Sequence, residues 1–424
     1  MNGHPMLTPD RSTSASPPVL PERERAALEA LRYLIRASHL SRADDLPSLV
    51  RTAAACLGAV ATVVYVVDYD QVLLVSLPDS SAADRPVVHT IEGTLAGRAF
   101  RDVATQLGSV EGNPVVWTSM LDGSDRLGVL EFTFPASVRV DEHLARTCED
   151  MAGLVAELLL THSRHGDAVE RARRRVALSV PAELQWHLLP PLTFVSPRVS
   201  VAGVVAPSSQ VAGDSFDYSI NGDVAHIAII DAMGHGLQAT LMAAVTIATL
   251  RNARRRGLDV AEMVPVLDRQ IATAFGSDRF VTGIFGELDT LTGEWRWTTC
   301  GHPPTLVIRG GRVVKRLDSV IGAPLGLGLL GGEPELAVER LEPGDRLLLY
   351  SDGVIEARDA TGGFFGTDRL VDFIVRQASA GLPAAESLRR LNLEILHHQE
   401  GELQDDATTL MVEWLTDEPS RTFR

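Results

Sequence analysis

The chain has 424 residues, 45% hydrophobic and 22% charged, a composition that provides enough apolar side chains for more than one core and excludes wholesale disorder. Acidic residues outnumber basic ones by 55 to 39, which gives a formal net charge of -16. A chain of this charge repels polyphosphate backbones, so we expect no nucleic-acid partner.

The N-terminal segment 1–22 is rich in Ser, Pro and Thr and is predicted to be a disordered tail. It lacks the apolar stretch of a signal peptide, and no later run reaches the roughly 18 apolar residues of a membrane span. Cys56, Cys148 and Cys300 are odd in number and widely spaced, which argues against a disulfide framework and against a Cys-based zinc site. We therefore expect a soluble, cytoplasmic protein without membrane contact.

The segment 23–162 is predicted to be a first, α/β domain. Apolar residues recur at helical spacing before and after Pro47, and strand-like alternation follows. Asp122-Gly123 is predicted to join a hairpin, and an amphipathic helix is predicted from about Asp141 to Thr161.

A linker helix is predicted over 163–191, ending at Pro190 and Pro191 because proline lacks a donor and clashes with the preceding turn. Its four arginines between 171 and 175 suit either a nucleic-acid face or a solvated helix face, and we favour the solvated face. The apolar stripe leading into the linker predicts that it couples two protomers into a homodimer.

Acidic residues stand at strand ends throughout 192–416, the predicted second domain. The strand-like runs 224–231 and 346–352 each end in an aspartate that precedes a glycine-containing turn. The aspartates of this kind are Asp214, Asp231, Asp352 and the pair Asp405 and Asp406.

A single aspartate before glycine is often only a turn residue whose carboxylate accepts hydrogen bonds from nearby amides. Several in one domain favour a different interpretation, because clustered carboxylates repel each other unless cations neutralise them. Ligation by carboxylates alone suits Mg²⁺ or Mn²⁺ better than zinc. Two such ions about 3.5 to 4 Å apart could activate a water toward a phosphoryl centre, so the pattern predicts a phosphoesterase site.

The motifs AGDSFDY, DAMGHG, GHPP, YSDGVIEARDATGGFFG and DDATTLMV occur in the order and approximate spacing of the SpoIIE-like metal-dependent (PPM/PP2C-type) protein phosphatases. The chain resembles this family over about 185–415. The resemblance implies an α-β-β-α sandwich in an α+β chain, two Mn²⁺ or Mg²⁺ ions, and attack of metal-bound hydroxide on phosphoserine or phosphothreonine. It also implies a partner, a phosphorylated STAS-domain antagonist of an anti-sigma factor.

The resemblance assigns a role to each acid of the cluster. Asp231 would be the catalytic carboxylate that bridges both metals, and the Ala232 carbonyl a backbone ligand. The other implied metal ligands are Asp214, Asp352 and Asp405, and the accessory acids are Asp217 and Asp406. His235 would be a proton donor or a helix-capping residue, and His302 would be structural or substrate-facing, of which we favour structural.

The first domain is similar to GAF sensor domains in ACLGAVATVVYVVDYD, IEGTLAGRAF and DRLGVLEFTF. Such a domain can hold a small ligand or serve only for dimerisation, and no residues here mark a haem, bilin or cyclic-nucleotide site.

Two rival functions remain open at this point. A serine hydrolase would use Ser215 of the Gly-Asp-Ser triplet with Asp223 and His226, although their closeness in sequence argues against a triad. A catalytically silent phosphatase-fold scaffold would require the loss of at least one metal ligand, and all the expected acids are present.

Overall fold

The computed structural model describes residues 21–79, 86–206, 213–318, 322–400 and 406–415. The predicted tail lies almost wholly outside these ranges, as does Asp405. None of the helices within them is both long and apolar enough to cross a bilayer.

The N-terminal part is built around a six-stranded antiparallel sheet in the order β3-β2-β1-β6-β5-β4. Its strands are β1 (Ala61–Val67), β2 (Leu73–Ser76), β3 (Val88–Thr90), β4 (Gln106–Val110), β5 (Asn113–Asp122) and β6 (Asp125–Thr133). Its helices are α1 (Glu22–Ser38), α2 (Leu46–Cys56), α3 (Leu95–Asp102) and α4 (Glu142–Ser163). The predicted hairpin is present as β5 and β6.

Alternation along the strands divides this sheet into two buried faces. One face packs against α1, α2 and α4, with Val64 and Val66 of β1 meeting Met151 and Val155 of α4. The other face packs against α3 through residues such as Tyr65 and Phe100. Since the inner stripe of α4 is used in this core, it does not form a free dimerisation seam.

The structure contains no single linker helix over 163–191, so that prediction was wrong. After α4 ends at Ser163, two short helices follow, α5 (Ala168–Arg173) and α6 (Val180–Leu188). The backbone is extended at Arg174, and Ser179 caps α6 by accepting a hydrogen bond from the Ala182 amide. The local capping signal therefore starts a new helix where the apolar and basic pattern had suggested continuity.

The linker arginines do not form a free basic face. Arg173 lies over the ring of Tyr69, with its Cζ 4.4 Å from the ring centroid. Arg175 pairs with Asp70 at 3.3 Å, and Arg174 pairs with Glu183 at 2.6 Å. These side chains attach the linker to the β1–β2 loop of the N-terminal part and to α6.

Two antiparallel sheets form the C-terminal part, with orders β15-β12-β11-β10-β9 and β14-β13-β16-β17-β8-β7. The strands are β7 (Thr193–Val195), β8 (Val199–Ala206), β9 (Asp214–Asn221), β10 (Val224–Ala232), β11 (Val281–Asp289), β12 (Glu294–Cys300), β13 (Thr305–Arg309), β14 (Arg312–Leu317), β15 (Ala337–Arg340), β16 (Arg346–Tyr350) and β17 (Ala407–Trp414). The helices are α7 (Leu237–Arg255), α8 (Val260–Phe275), α9 (Asp352–Ile355), α10 (Gly366–Ser379) and α11 (Ala384–His398).

The two sheets pack face to face, and helices cover both outer sides. Along β10, Ile227 and Ile229 join the core between the sheets, whereas Ala228 and Ile230 pack against α7 and α8. On the other sheet, α10 and α11 cover the outer face. This is the predicted α-β-β-α arrangement, and it places Asp231 at the inner side of its strand because Asp231 shares the parity of Ile229.

A buried group of charges joins the two parts of the chain. Arg126 of β6 donates to Glu386 of α11 at 3.2 Å, and both side chains are less than one-tenth exposed. Arg389 donates to the same carboxylate at 2.8 Å and to the Gln71 carbonyl at 3.1 Å. Because an unpaired buried charge is costly, these contacts fix α11 against the N-terminal sheet.

Candidate active site

Two of the predicted acids face each other across neighbouring strands. Asp214 begins β9, Asp231 lies at the end of β10, and the two residues are direct cross-strand partners in the antiparallel register. Opposite residues in such a pair have Cβ atoms roughly 5 Å apart, so the two carboxylates share one small volume at the edge between the sheets.

The carboxyl group of Asp214 lies in an environment that opposes its charge. Burial raises its pKa well above the usual range, and the carboxylates of Asp231 and Asp406 raise it further, while the Ser351 and Thr408 hydroxyls act in the opposite direction. Its Oδ2 is buried and has no hydrogen-bond partner among the described residues. A buried carboxylate of this kind is stabilised when it binds a proton or a cation.

Asp406 ties the two sheets together beside this pair. Its Oδ2 accepts hydrogen bonds from the Gly213 amide at 2.7 Å and from the Asp214 amide at 3.4 Å. Asp406 immediately precedes β17, so this carboxylate of one sheet fixes the first residue of β9 in the other. Its accessory role at a metal site stays a prediction.

Gln185 of α6 also reaches this group of acids, and no role was predicted for it from the sequence. Its Nε2 donates to the Asp214 carbonyl at 2.8 Å and to Asp406 Oδ2 at 3.2 Å. The side chain is buried. The sequence signal that could have identified it is its helical spacing from Ala182, which places a polar side chain on the inner face of a short helix.

Asp352 approaches the same edge from the end of β16. The Ser351 amide donates to the Thr408 carbonyl at 3.0 Å, and the Ser351 hydroxyl accepts from the Thr408 amide at 3.0 Å. A Cβ on Gly353 would lie 1.9 Å from the Asp406 carbonyl oxygen, so only glycine permits this approach. The exposed Asp352 is thereby placed on a segment that contacts the start of β17.

The loop after Asp231 is shaped by two glycines, Gly234 and Gly236, at φ values of 89° and 71°. The Ala232 carbonyl oxygen lies close to Gly213, 2.8 Å from where a Cβ would stand. His235 is exposed between the two glycines, and α7 begins at Leu237.

Asp217 is not brought together with the other acids. It is three residues after Asp214 on a strand, so its side chain points to the opposite face, toward α7. Arg251 donates to its Oδ1 at 2.9 Å and Arg254 to its Oδ2 at 2.7 Å. The accessory role predicted for Asp217 is therefore replaced by a structural one, since both oxygens hold α7 on the sheet.

His302 supports the strand that faces Asp231. Thr282 is the cross-strand partner of Asp231, and its hydroxyl lies 2.9 Å from His302 Nδ1. Burial lowers the pKa of His302 to about 3. The imidazole is therefore neutral near pH 7, and its position matches the structural role favoured for it.

Within the described ranges, no three His, Cys, Asp or Glu side chains are already arranged as a metal-ligand group. The predicted ligand Asp405 lies outside those ranges, so the complete predicted set is not represented. What the structure brings together is Asp214, Asp231 and Asp406, with Asp352 on an adjoining segment.

A family model described as Stage II sporulation protein E (SpoIIE) matches residues 221–415. We call this matched segment the SpoIIE-family domain. Asp231 and Asp352 lie within the matched segment, and Asp214 precedes it.

Relatives of the SpoIIE-family domain include two bacterial proteins. Protein IcfG of Synechocystis sp. is 24% identical over 265 residues, covering 56% of this chain and 41% of its own. Phosphoserine phosphatase RsbU of Bacillus subtilis is 22% identical over 240 residues, covering 55% of this chain and 69% of its own. The chain thus spans less than half the length of IcfG.

Among solved structures, the RsbU and RsbW domains of a Mycobacterium tuberculosis protein are 28% identical, with a TM-score of 0.45. The alignment covers 53% of this chain and 64% of that one.

The register of β9 and β10 excludes the serine-hydrolase triad. Ser215 is opposite Ile230 on β10, whereas His226 is opposite Ser219, four residues further along. Four strand residues span roughly 13 Å, far beyond hydrogen-bond reach. His226 lies instead 3.4 Å from Glu287 on the neighbouring strand.

Proposed function

We propose that the chain is a metal-dependent serine/threonine protein phosphatase that hydrolyses phosphoserine or phosphothreonine with water as the nucleophile. The observation that carries the proposal is the opposed pair of Asp214 and Asp231, of which Asp231 lies within the segment that matches the SpoIIE family model. A catalytic use accounts for two like charges that lie together where one of them is buried.

The donor atoms at this edge fit a hard divalent cation. They are carboxylate oxygens, and Asp214 Oδ2 is buried without a hydrogen-bond partner among the described residues. We propose that two Mn²⁺ or Mg²⁺ ions are held by the carboxylates of Asp214, Asp231, Asp352 and Asp405 and by the Ala232 carbonyl. Ions bound there would supply positive charge to the phosphoryl oxygens and lower the pKa of the attacking water.

The chain's own residues would divide the remaining work. Asp231, half-buried at the end of β10, would face both ions, and the buried Asp214 would hold one. Asp406 would orient the Gly213–Asp214 corner through the hydrogen bonds that its Oδ2 accepts. His235, which is exposed on the adjoining loop, would exchange a proton with the leaving group.

We propose that the N-terminal part is a GAF-like sensor that regulates this site. The ring of Tyr69 in the β1–β2 loop lies 4.3 Å from the ring of Trp186, centroid to centroid. Trp186 directly follows Gln185, which contacts the carboxylate corner formed by Asp214, Asp231 and Asp406. A structural change in the β1–β2 loop would therefore reach Trp186, which is adjacent to Gln185. The Gln185 side chain in turn contacts Asp214 and Asp406.

The proposed substrate is a phosphorylated STAS-domain antagonist of an anti-sigma factor in the cytoplasm. We also propose that the enzyme is a homodimer, whose interface would lie outside the inner stripe of α4 because that stripe packs in the N-terminal core. The name of the relative RsbU, a phosphoserine phosphatase, supports the phosphoserine part of this proposal. Light scattering at micromolar concentration tests the homodimer, and a strictly monomeric chain would contradict it.

The activity is tested with the purified full chain, a phosphorylated STAS protein from the same source and a phosphoserine peptide. We expect phosphate release from the protein substrate with Mn²⁺ and none in EDTA. Absence of Mn²⁺-dependent release from both substrates would contradict the phosphatase proposal, and release from the peptide alone would contradict the proposed partner.

A further inference from the structure

Gln185 lies on α6, and its side chain contacts two other segments of the chain at the carboxylate corner. Its side-chain nitrogen bridges the backbone carbonyl of Asp214 at 2.8 Å and the carboxylate of Asp406 at 3.2 Å. The three residues belong to α6, to the start of β9 and to the residue before β17. The side chain is 2% exposed, so water does not compete for these hydrogen bonds.

The chemistry of this contact depends on an amide. One NH₂ group has two protons, so it can serve a carbonyl and a carboxylate at once. A Glu side chain would place another negative charge against Asp406, and an apolar side chain would leave both acceptors without this donor. The bridged carbonyl belongs to Asp214 itself, so the amide acts on the backbone that carries a proposed metal ligand.

We infer that Gln185 is a positioning residue of the carboxylate site, which holds Asp214 and Asp406 at the spacing that metal binding needs. This inference rests on the proposed metal-dependent function and extends it to a residue of the linker. Gln185 does not contact the substrate; it acts through Asp214 and Asp406. Its loss should therefore weaken metal binding more than turnover of the loaded enzyme.

The test compares Gln185→Leu with the parent in the full chain, by Mn²⁺ titration of phosphatase activity and by thermal melts with and without Mn²⁺. Residues that orient metal ligands typically contribute about 10- to 100-fold in metal affinity. We expect the half-saturating Mn²⁺ concentration to rise by that factor, with turnover at saturating Mn²⁺ within about threefold of the parent. The melting temperature in EDTA should fall, because the buried Asp214 carbonyl loses this donor, and the rise caused by a fixed Mn²⁺ concentration should shrink.

His187→Ala is the matched control on the same helix. His187 is exposed, and its Nδ1 lies 2.8 Å from the Glu183 carbonyl of its own helix. This variant should keep the parental Mn²⁺ response. If Gln185→Leu does not fold, Gln185→Met, which keeps the length of the side chain without its donors, is judged by the same criteria.

The outcomes separate this inference from the phosphatase proposal. A Gln185 variant with the parental half-saturation and the parental Mn²⁺-induced melting shift would overturn the positioning role alone. A parent that shows the melting shift but no hydrolysis would overturn the phosphatase proposal, while the melts would still decide the role of Gln185. A parent without any Mn²⁺ response would contradict both.

Discussion

Asp214 and Asp231 are direct cross-strand partners, one at the first residue of β9 and the other near the last residue of β10. Their side chains lie on the face that also carries Phe216 and Ile229 of the core between the sheets. Two acids that continue an apolar face are not explained by turn formation, because an ordinary turn residue would be solvated. The pair lies at the boundary between the apolar core and the carboxylate corner.

The contact between Arg126 and Glu386 predicts a pH-dependent stability. Burial opposes the charge of Glu386, yet hydrogen bonds and charge from Arg389 and Arg126 lower its pKa to about 2. A lowered pKa stabilises the fold above the unfolded-state pKa of roughly 4.3, and this stabilisation is lost as the pH falls through the folded-state value. Glu386→Gln should therefore lower the melting temperature at pH 7, and the difference should fade between about pH 5 and pH 2.

Thermal melts of the parent and of Glu386→Gln across this pH range make the comparison, with Glu394→Gln on the same helix as the control. An equal deficit at pH 7 and pH 3 would show that the ionised carboxylate is not the stabilising group.

Asp217→Asn should separate stability from metal binding. Removing its charge leaves Arg251 and Arg254 without their buried partner, and breaking a buried pair typically costs about 3–5 kcal/mol. Since the side chain points away from Asp214, the half-saturating Mn²⁺ concentration should stay parental at temperatures where the variant is folded. A tenfold rise in that concentration would place Asp217 back among the groups that act on the metals.

Ser215→Ala should leave phosphate release unchanged. The hydroxyl is buried and has no hydrogen-bond partner among the described residues, so its removal exposes no partner group. Steady-state kinetics should agree with the parent within about twofold, and a fluorophosphonate probe should not label the parent. Loss of activity in this variant together with labelling of Ser215 would restore the serine-hydrolase alternative.

Deletion of 1–162 should change turnover or Mn²⁺ affinity. The deletion removes Tyr69, whose ring contacts Trp186, and Arg126, which pairs with Glu386. Trp186 belongs to α6, which also carries Gln185, so loss of the Tyr69 contact should alter the carboxylate site. Because the truncated chain exposes buried charges, its folding is first checked by circular dichroism. A folded truncation with parental kinetics and parental metal affinity would argue against coupling.

Local patterns in the sequence were sufficient to place the acids at strand ends, whereas the layered architecture was expected from the resemblance to the SpoIIE-like phosphatases. Asp231 could be predicted because the alternation of 224–231 and the glycine turn after it are visible within a few residues. Asp217 could have been separated from Asp214 by the same alternation, since an odd spacing on a strand reverses the face. Its arginine partners are 34 and 37 residues away and carry no local signal.

The role of Gln185 depends on contacts that no local pattern contains. Asp214 is 29 residues away and Asp406 is 221 residues away, and they meet only when both sheets are assembled. The linker was predicted as one helix because helical spacing and a basic run continue through 163–191. The break between α5 and α6 arises from local capping by Ser179 and from arginine contacts with the β1–β2 loop, of which only the arginine contacts are tertiary.

The metal-dependent mechanism is tested most directly by Asp231→Asn. This substitution keeps the shape of the side chain and removes the charge proposed to hold two cations together. We expect Mn²⁺-dependent hydrolysis of a phosphoserine substrate to fall by at least ~10²-fold, because nucleophile activation and phosphoryl charge stabilisation are lost together. The metal-free protein should fold and melt no lower than the parent in EDTA, since repulsion with Asp214 is relieved. A folded variant with near-parental turnover and a parental Mn²⁺-induced rise in melting temperature would contradict the assignment of Asp231 as the metal-bridging carboxylate.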